Sequence, residues 1–358
     1  MKFTALPVKR GDSFLLCFPS GKMLVDAGQN KQHILKLLKQ ERIDKRHINL
    51  LVCTHYDADH INGILGIMES QDFTFDEIWL PEILGSLSYT LSEDLIGILR
   101  KLREIDPEGM LIRKEPESST IEECTRIQED SPIRLASLEN ILQAKYFPCA
   151  FEDVAFNLLH ASRHESISTI PIQAMHTNMW AALGIVHSAL SSGAYVRWFK
   201  YANSLTNIAY GFGMSALNST ETGLTRYSPG TFLHRLYLTT INAESLVFKF
   251  SCDQHPDILF CADSDLSFTT TPIDLKNNSV VTAPHHGSDS CNGAYNFING
   301  SNLIYVRSDQ RQRKRPGSGY LNQQNRYCTI CRNKGPQQKV EISYTGSSST
   351  VIGQKCTC

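Results

Sequence analysis

The chain has almost no charge surplus: 35 Lys and Arg face 36 Asp and Glu, a formal net charge of -1. A global pull on nucleic acid is therefore excluded, and any such affinity must come from a local patch. No apolar run is long enough to span a bilayer. The opening residues, Met1 to Pro7, are too brief and too soon charged to read as a signal peptide. No serine or cysteine nucleophile is suggested. Of the eleven cysteines, Cys17, Cys53 and Cys261 sit in apolar strand-like runs, where the residue acts as a small hydrophobe. These absences lead to the expectation of a cytoplasmic protein without membrane contact. What remains is an ordinary globular composition, 41% hydrophobic and 20% charged over 358 residues, enough for a large core.

The densest chemistry lies in Thr54-His55-Tyr56-Asp57-Ala58-Asp59-His60-Ile61-Asn62-Gly63. Ahead of it, His47 to Cys53 is a short, partly β-branched apolar run that reads as a buried strand. Behind it, Ile61 to Met68 begins a helix-like stretch. Two imidazoles and two carboxylates within six positions, where a strand gives way to a helix, suit a borderline or hard divalent ion. Turn residues and a helix N-cap at Asp59 are the plainer explanation, and the density of ligand types outweighs it.

Around this centre the chain alternates strands and helices. Phe14–Phe18 and Lys22–Gly28 read as strands after turn clusters, the second ending on Asp26-Ala27-Gly28. Gln32 to Gln40 is an amphipathic helix, and Phe75 to Pro81 a core strand. Residues 85–180 read as a largely helical insertion whose middle carries no recognisable chemistry. A long surface loop is expected over 202–230, rich in Ser, Thr, Asn and Gly, then strands near Leu236–Thr240 and Ser245–Phe250.

Two later strands repeat the pattern of an apolar run ending in ligand-type residues. Ile258 to Cys261 leads to Asp263 and Asp265, and Ser279 to Ala283 leads to Pro284-His285-His286-Gly287-Ser288. A pair of turn histidines would explain the latter alone. Beside Asp263 and the first cluster, convergence of several strand ends on one rim is the better reading.

In this order, Asp26-Ala27-Gly28, Thr-His-x-Asp-x-Asp-His-x-x-Gly, Asp263 and Pro-His-His-Gly-Ser resemble the metallo-β-lactamase-fold hydrolases. More narrowly, Gly11-Asp12-Ser13-Phe14-Leu15-Leu16, Ile78-Trp79-Leu80-Pro81 and Asn242 to Val247 are similar to segments of the hydrolase domain of ComEC-type competence DNA-uptake proteins. The resemblance spans about residues 1–310. It implies an α+β fold, an αββα sandwich with metal at the sheet edges. With the resemblance covering this span, the chain divides into a 1–310 hydrolase domain, whose 85–180 helical insertion lies outside the family's usual pattern, and a 311–358 appendage. His55 and Asp57 would hold one ion, Asp59 and His60 the other. Asp263 would bridge them, and His285 would close the second. His286 and Ser288 would then face substrate, with Asp59, His60 and Asp263 as the catalytic set. Asp57 stands where most of the superfamily has histidine. No third-motif histidine is evident, with His160, His164, His176, His187 and His234 as possible substitutes. Zn2+ and Mn2+ both stay open, as do one ion and two.

The only dense basic run, Arg307 to Arg315 with Arg311, Arg313 and Lys314, follows the expected strand Leu303–Val306. It suits a phosphodiester backbone held beside the metals, and a solvated loop is the plainer alternative. Tyr320 and Tyr327 nearby suit either base stacking or the core. Finally, Cys328-Thr329-Ile330-Cys331 and Cys356-Thr357-Cys358 flank an expected small hairpin. Four thiolates on two knuckles suit structural Zn2+ in a zinc-ribbon-like appendage, against disulfides or free thiols. The reading is a metal-dependent phosphodiesterase or nuclease on DNA. A small-molecule hydrolase of the same fold (lactone, thioester, lactam or cyclic phosphate) is the first alternative. A non-catalytic binding protein or assembly partner, using the cysteine tail and the 85–180 insertion, is the second.

Overall fold

The computed structural model describes residues 1–41, 43, 46–82, 184–186, 188–189, 192–225, 245–308, 315–331, 337–346 and 348–358. All of them belong to one unit, Met1–Ser88 with His176–Cys358. The expected helical insertion, the strand near Leu236–Thr240, and Arg311, Arg313, Lys314, His160, His164, His176, His187 and His234 lie outside the described residues.

The first strands are β1 (Lys2–Ala5), β2 (Phe14–Phe18) and β3 (Gly21–Val25), followed by helix α1 (Lys31–Gln40). Strand β4 (His47–Val52) leads to helix α2 (Ala58–Glu69), then β5 (Thr74–Pro81) and β6 (Tyr195–Tyr201). Four strands follow: β7 (Ile208–Ala209), β8 (Met214–Ala216), β9 (Ser219–Thr225) and β10 (Phe248–Cys252). Next are β11 (His255–Phe260), β12 (Ile273–Asp274), β13 (Val280–Thr282), β14 (Ile298–Asn299) and β15 (Ile304–Arg307). The chain ends with β16 (Arg326–Cys328), β17 (Val340–Thr345) and β18 (Ser348–Ile352).

Among the described residues one sheet of nine strands runs β18-β17-β1-β2-β3-β4-β5-β6-β9, and one of seven runs β16-β15-β13-β11-β10-β8-β7. The class is mixed α+β, as expected. Alternation along each strand explains how the sheets stack. Leu50 and Val52 of β4, with Phe14, Leu16, Met23 and Val25, point into a cluster shared with Phe248, Phe260, Val280, Ile304 and Val306 of the second sheet. Leu51 and Cys53 point the other way, into a core with Ile34 and Leu38 of α1 and Ile61 and Ile64 of α2. Leu259, Val281 and Tyr305 face a third cluster, outside the second sheet, with Ala294 and Tyr320. The central strands of both sheets are thus apolar on both faces, which is why they read as nearly unbroken hydrophobic runs.

Two expectations change. The stretch expected as a loop over 202–230 contains β8 in the second sheet and β9 at an edge of the first. Polar residues are compatible with an edge strand, whose outer side meets no neighbour. Buried Asn218 ties this segment in, donating to the Ser245 carbonyl (2.8 Å) and accepting from the Val247 amide (2.7 Å). The hairpin of β17 and β18, expected within an appendage, extends the first sheet: Phe3 pairs with Ile342 and Ala5 with Val340. The unpaired edge of β1 is the physical reason, since it offers backbone groups that only another strand satisfies.

The arrangement matters for function because β3, β4, β5 and β6 run parallel, as do β11, β13, β15 and β16. Parallel strands gather their carboxyl ends on one rim. Asp26, His55, Asp263 and His285 each follow such an end.

Candidate metal centre

Close packing brings α2 onto the rim. A Cβ on Gly63 would lie 2.0 Å from the Ala27 carbonyl oxygen, so only glycine lets the helix approach the end of β3. The Gly63 amide donates to the Gly28 carbonyl (2.8 Å), and the Ala27 amide to the His60 carbonyl (3.2 Å). The last residue of the motif therefore seats the helix that carries Asp59 and His60.

Three histidines point their Nε2 atoms inward because each Nδ1 is engaged by an oxygen. Asp26, 1% exposed, accepts from the Thr54 amide (2.9 Å), the Thr54 hydroxyl (2.6 Å) and His60 Nδ1 (2.8 Å). Since the Thr54 hydrogen is committed to Asp26, its Oγ1 accepts from His55 Nδ1 (3.0 Å). Asp12 accepts from His286 Nδ1 (3.1 Å). Fixing the outer nitrogen in this way sets the tautomer and turns the inner lone pair toward the site.

Three overlapping groups result among the described residues: one is Asp26, His55 and His60, and Asp263 belongs to the other two. Of these two, His55, Asp57 and Asp263 form one; His60, Asp263, His286 and Asp12 form the other, each with ligand atoms within 4.8 Å. His286 Nε2 lies 3.3 Å from His60 Nε2, 3.3 Å from Asp263 Oδ1 and 3.6 Å from Asp59 Oδ2. His55 Nε2, Asp263 Oδ1 and Asp12 Oδ2 are buried without a hydrogen-bond partner. Buried polar atoms that converge without partners are costly unless a cation completes them. The donor set of nitrogen and carboxylate oxygen fits a divalent ion.

The electrostatics agree. Burial opposes charge on Asp263, yet the fields of His286 and His60 hold its carboxyl well below the usual range. His60 is likewise opposed by burial, but Asp26 and Asp263 raise its pKa well above the ordinary imidazole value. The negative field that would keep this proton on is the field that favours a cation in its place. Burial, with His60 beside it, drives His55 down to about 4, so it stands neutral. Asp59 is pulled below its ordinary value: burial opposes this, and His60 and His286 prevail. Burial and the neighbouring Asp59 push Asp57 up.

The resemblance implies that His285 closes the second site and that His286 faces substrate; in the structure it is His286 that groups with His60. His286 is 1% exposed. His285 lies on the other side of Asp263, with its Nε2 3.4 Å from Oδ2. Both residues have positive φ, 45° and 53°, a left-handed turn that makes consecutive side chains diverge. Such backbone costs on the order of 1–3 kcal/mol per residue and persists only where surroundings enforce it. Here they do: Arg307 Nε donates to the His286 carbonyl (2.7 Å), and the His285 amide donates to the Ala262 carbonyl (2.8 Å). Ser288 supports the same turn, its Oγ accepting from Ser290 Oγ (3.0 Å).

Asp12 and Arg307 were not singled out by sequence reasoning. Asp12 reads locally as a turn residue, and nothing within its Gly-Asp-Ser turn signals a histidine 274 positions away. Arg307 reads as the start of the basic run, but at the end of β15 it is 1% exposed. Of the rest of that run, Arg315 is described, its Nη2 donating to His285 Nε2 (3.0 Å). Tyr320 is fully buried, its hydroxyl donating to the Tyr327 carbonyl, so it belongs to the core and not to a stacking surface. Tyr327 is half-buried against the cluster between the sheets. No described helix is long and apolar enough to cross a membrane.

A family model, the metallo-beta-lactamase superfamily, matches residues 6–81. That segment holds Asp12, Asp26, the whole His55–His60 cluster and Gly63, whereas Asp263 and the two later histidines lie beyond it. The matched family implies a metal-dependent hydrolase. No curated protein matches the chain.

Proposed function

We propose that this protein is a metal-dependent phosphodiesterase acting on DNA. The observation that carries the finer reading is Arg315, whose guanidinium stands 3.0 Å from His285 Nε2 at the margin of the Asp263 cluster. A planar, permanently charged fork beside carboxylates and imidazoles suits a non-bridging phosphate oxygen better than a lactam or thioester carbonyl. The similarity of the motif set to ComEC-type hydrolase domains supports the same choice.

In this reading His55, Asp57 and Asp263 would hold a divalent ion on one side of the rim, and Asp59, His60, His286 and Asp263 would supply the ligands on the other. When bound, such an ion acidifies water and polarises the oxygen under attack. The chain's own residues do the rest. Asp26, Asp12 and Thr54 hold the three imidazoles in the tautomers that ligation needs. Asp59, ionised and half-buried, is placed to orient water and accept its proton. Arg315 and His285 steady the phosphate.

The test compares wild type with Asp263→Asn and Arg315→Ala on labelled single- and double-stranded DNA, with elemental analysis of each. Expected results are a loss of the rim metal and of cleavage in Asp263→Asn, and retained metal with weaker DNA binding in Arg315→Ala. Loss of one phosphate contact should also lower the slope of log affinity against log salt by about one unit. Metal bound without cleavage of any DNA would move the assignment to a small-molecule hydrolase. No metal at the rim in wild type would leave only a non-catalytic role.

A further inference from the structure

We propose that Cys328, Cys331, Cys356 and Cys358 form a second metal site, a closed four-thiolate zinc centre that braces the His285–His286 turn through Arg307. The thiols come together from two separate stretches. The Sγ atoms of Cys328, Cys331 and Cys356 lie within 4.8 Å of one another, and Cys358 Sγ is 3.4 Å from Cys331 Sγ. In tetrahedral coordination with Zn–S near 2.3 Å, sulfurs stand about 3.8 Å apart, so the cluster is already near that size. Cys328, Cys331 and Cys356 are buried, and all four are free of disulfides. Thiolate donors from these four cysteines select zinc over the harder ions suited to the rim.

The knuckles are held in place by backbone. The Cys328 amide donates to the Gln354 carbonyl (3.3 Å), and the Cys356 amide to the Arg326 carbonyl (2.8 Å). Thus the last residues of the chain are pinned along β16. From there a short path leads to the rim. In the β15–β16 ladder Arg307 is paired with Cys328, and the Thr329 amide donates to the Arg307 carbonyl (3.0 Å). The buried Arg307 side chain spans the two sites, Nη1 donating to the Ile330 carbonyl (3.3 Å) and Nε to the His286 carbonyl (2.7 Å). Ile330 lies inside the Cys328–Cys331 knuckle. A knuckle closed on zinc fixes the carbonyl that fixes the guanidinium that holds His286 in its left-handed turn.

Zinc binding here involves no redox step. Four Zn–S bonds form, and the protons still carried by the thiols pass to solvent. The site is not a catalytic one, because four protein ligands leave no open position. It stands independently of the phosphodiesterase reading, and its failure and the failure of that reading give different results.

The experiment uses full-length protein purified with zinc, in three forms: wild type, Asp263→Asn, and Cys356→Ser with Cys358→Ser. Zinc-edge X-ray absorption on Asp263→Asn, where the rim is disabled and the cysteines are intact, is expected to show a shell of four sulfurs near 2.3 Å. A shell of nitrogen and oxygen, or no zinc, would overturn the site whether or not the cysteine variant folds. Hydrogen exchange over residues 284–290 then tests the brace. In the cysteine variant, or in wild type after stoichiometric thiol modification releases zinc, exchange there should rise about tenfold while β4 stays protected. Unchanged exchange over 284–290 would overturn the coupling to the rim.

Discussion

Asp26 is a residue whose role depends on having no hydrogen to give. It accepts three hydrogen bonds, from the Thr54 amide, the Thr54 hydroxyl and His60 Nδ1. Replacing it by asparagine keeps the shape and turns one acceptor into a donor. The Thr54 hydroxyl and His60 Nδ1 share Oδ2, so an amide nitrogen there leaves both without an acceptor and no longer holds the tautomers of His55 and His60. The flipped amide instead sets a donor against the Thr54 amide. Asp26→Asn should therefore weaken metal binding about 10–100-fold, read by competition with a coloured chelator, with little change in secondary structure. An unchanged affinity would mean that the Asp26 network does not orient ligands.

At the scale of elements, one contact seats the rim and another completes the first sheet. Helix α2 meets the end of β3 through Gly63, with no room for a methyl group against the Ala27 carbonyl. Gly63→Ala should cost about 3 kcal/mol, at the upper end of overpacking, measured by denaturant unfolding. Metal should be lost in parallel, since His60 is on the same helix. The second contact joins the C-terminal hairpin to β1. Glu341 of β17 lies 3.4 Å from Lys2 and 3.0 Å from Lys339. Burial resists its charge, but the Lys339 and Lys2 ammonium groups hold its carboxyl below the ordinary value. A carboxyl whose folded pKa is depressed stabilises above its unfolded pKa, and that stability fades as pH falls through the folded pKa. Glu341→Gln should thus lower stability by about 0.5–1 kcal/mol at neutral pH. The difference from wild type should vanish in acid, below the folded pKa. A pH-independent difference would show that packing, not charge, is at stake.

For the whole molecule, bound metal is part of stability. A ligand that binds only the folded state stabilises it by about 4 kcal/mol at a thousandfold excess over its Kd. Stripping metal with a chelator should lower Tm by several degrees, and adding zinc or manganese back should restore it. No shift in Tm would mean that neither the rim nor the cysteine cluster binds an ion tightly.

Much of this was legible in the chain, because some chemistry is local in sequence. His55, Asp57, Asp59 and His60 fall within six positions. The runs before Asp263 and His285 carry the apolar signature of strands buried on both faces. Periodicity and short spacing suffice for that, and they place ligand types at strand ends. The two cysteine knuckles are equally plain. Tertiary structure alone decided what depends on distant pairing. Asp12 takes its part from His286, Arg307 from a carbonyl 21 positions earlier, and the C-terminal hairpin from the open edge of β1. It also decided which of two adjacent histidines stands beside His60 and which lies across Asp263. Local sequence treats His285 and His286 alike, whereas a left-handed backbone held by Arg307 and a carboxylate held out by Asp12 do not.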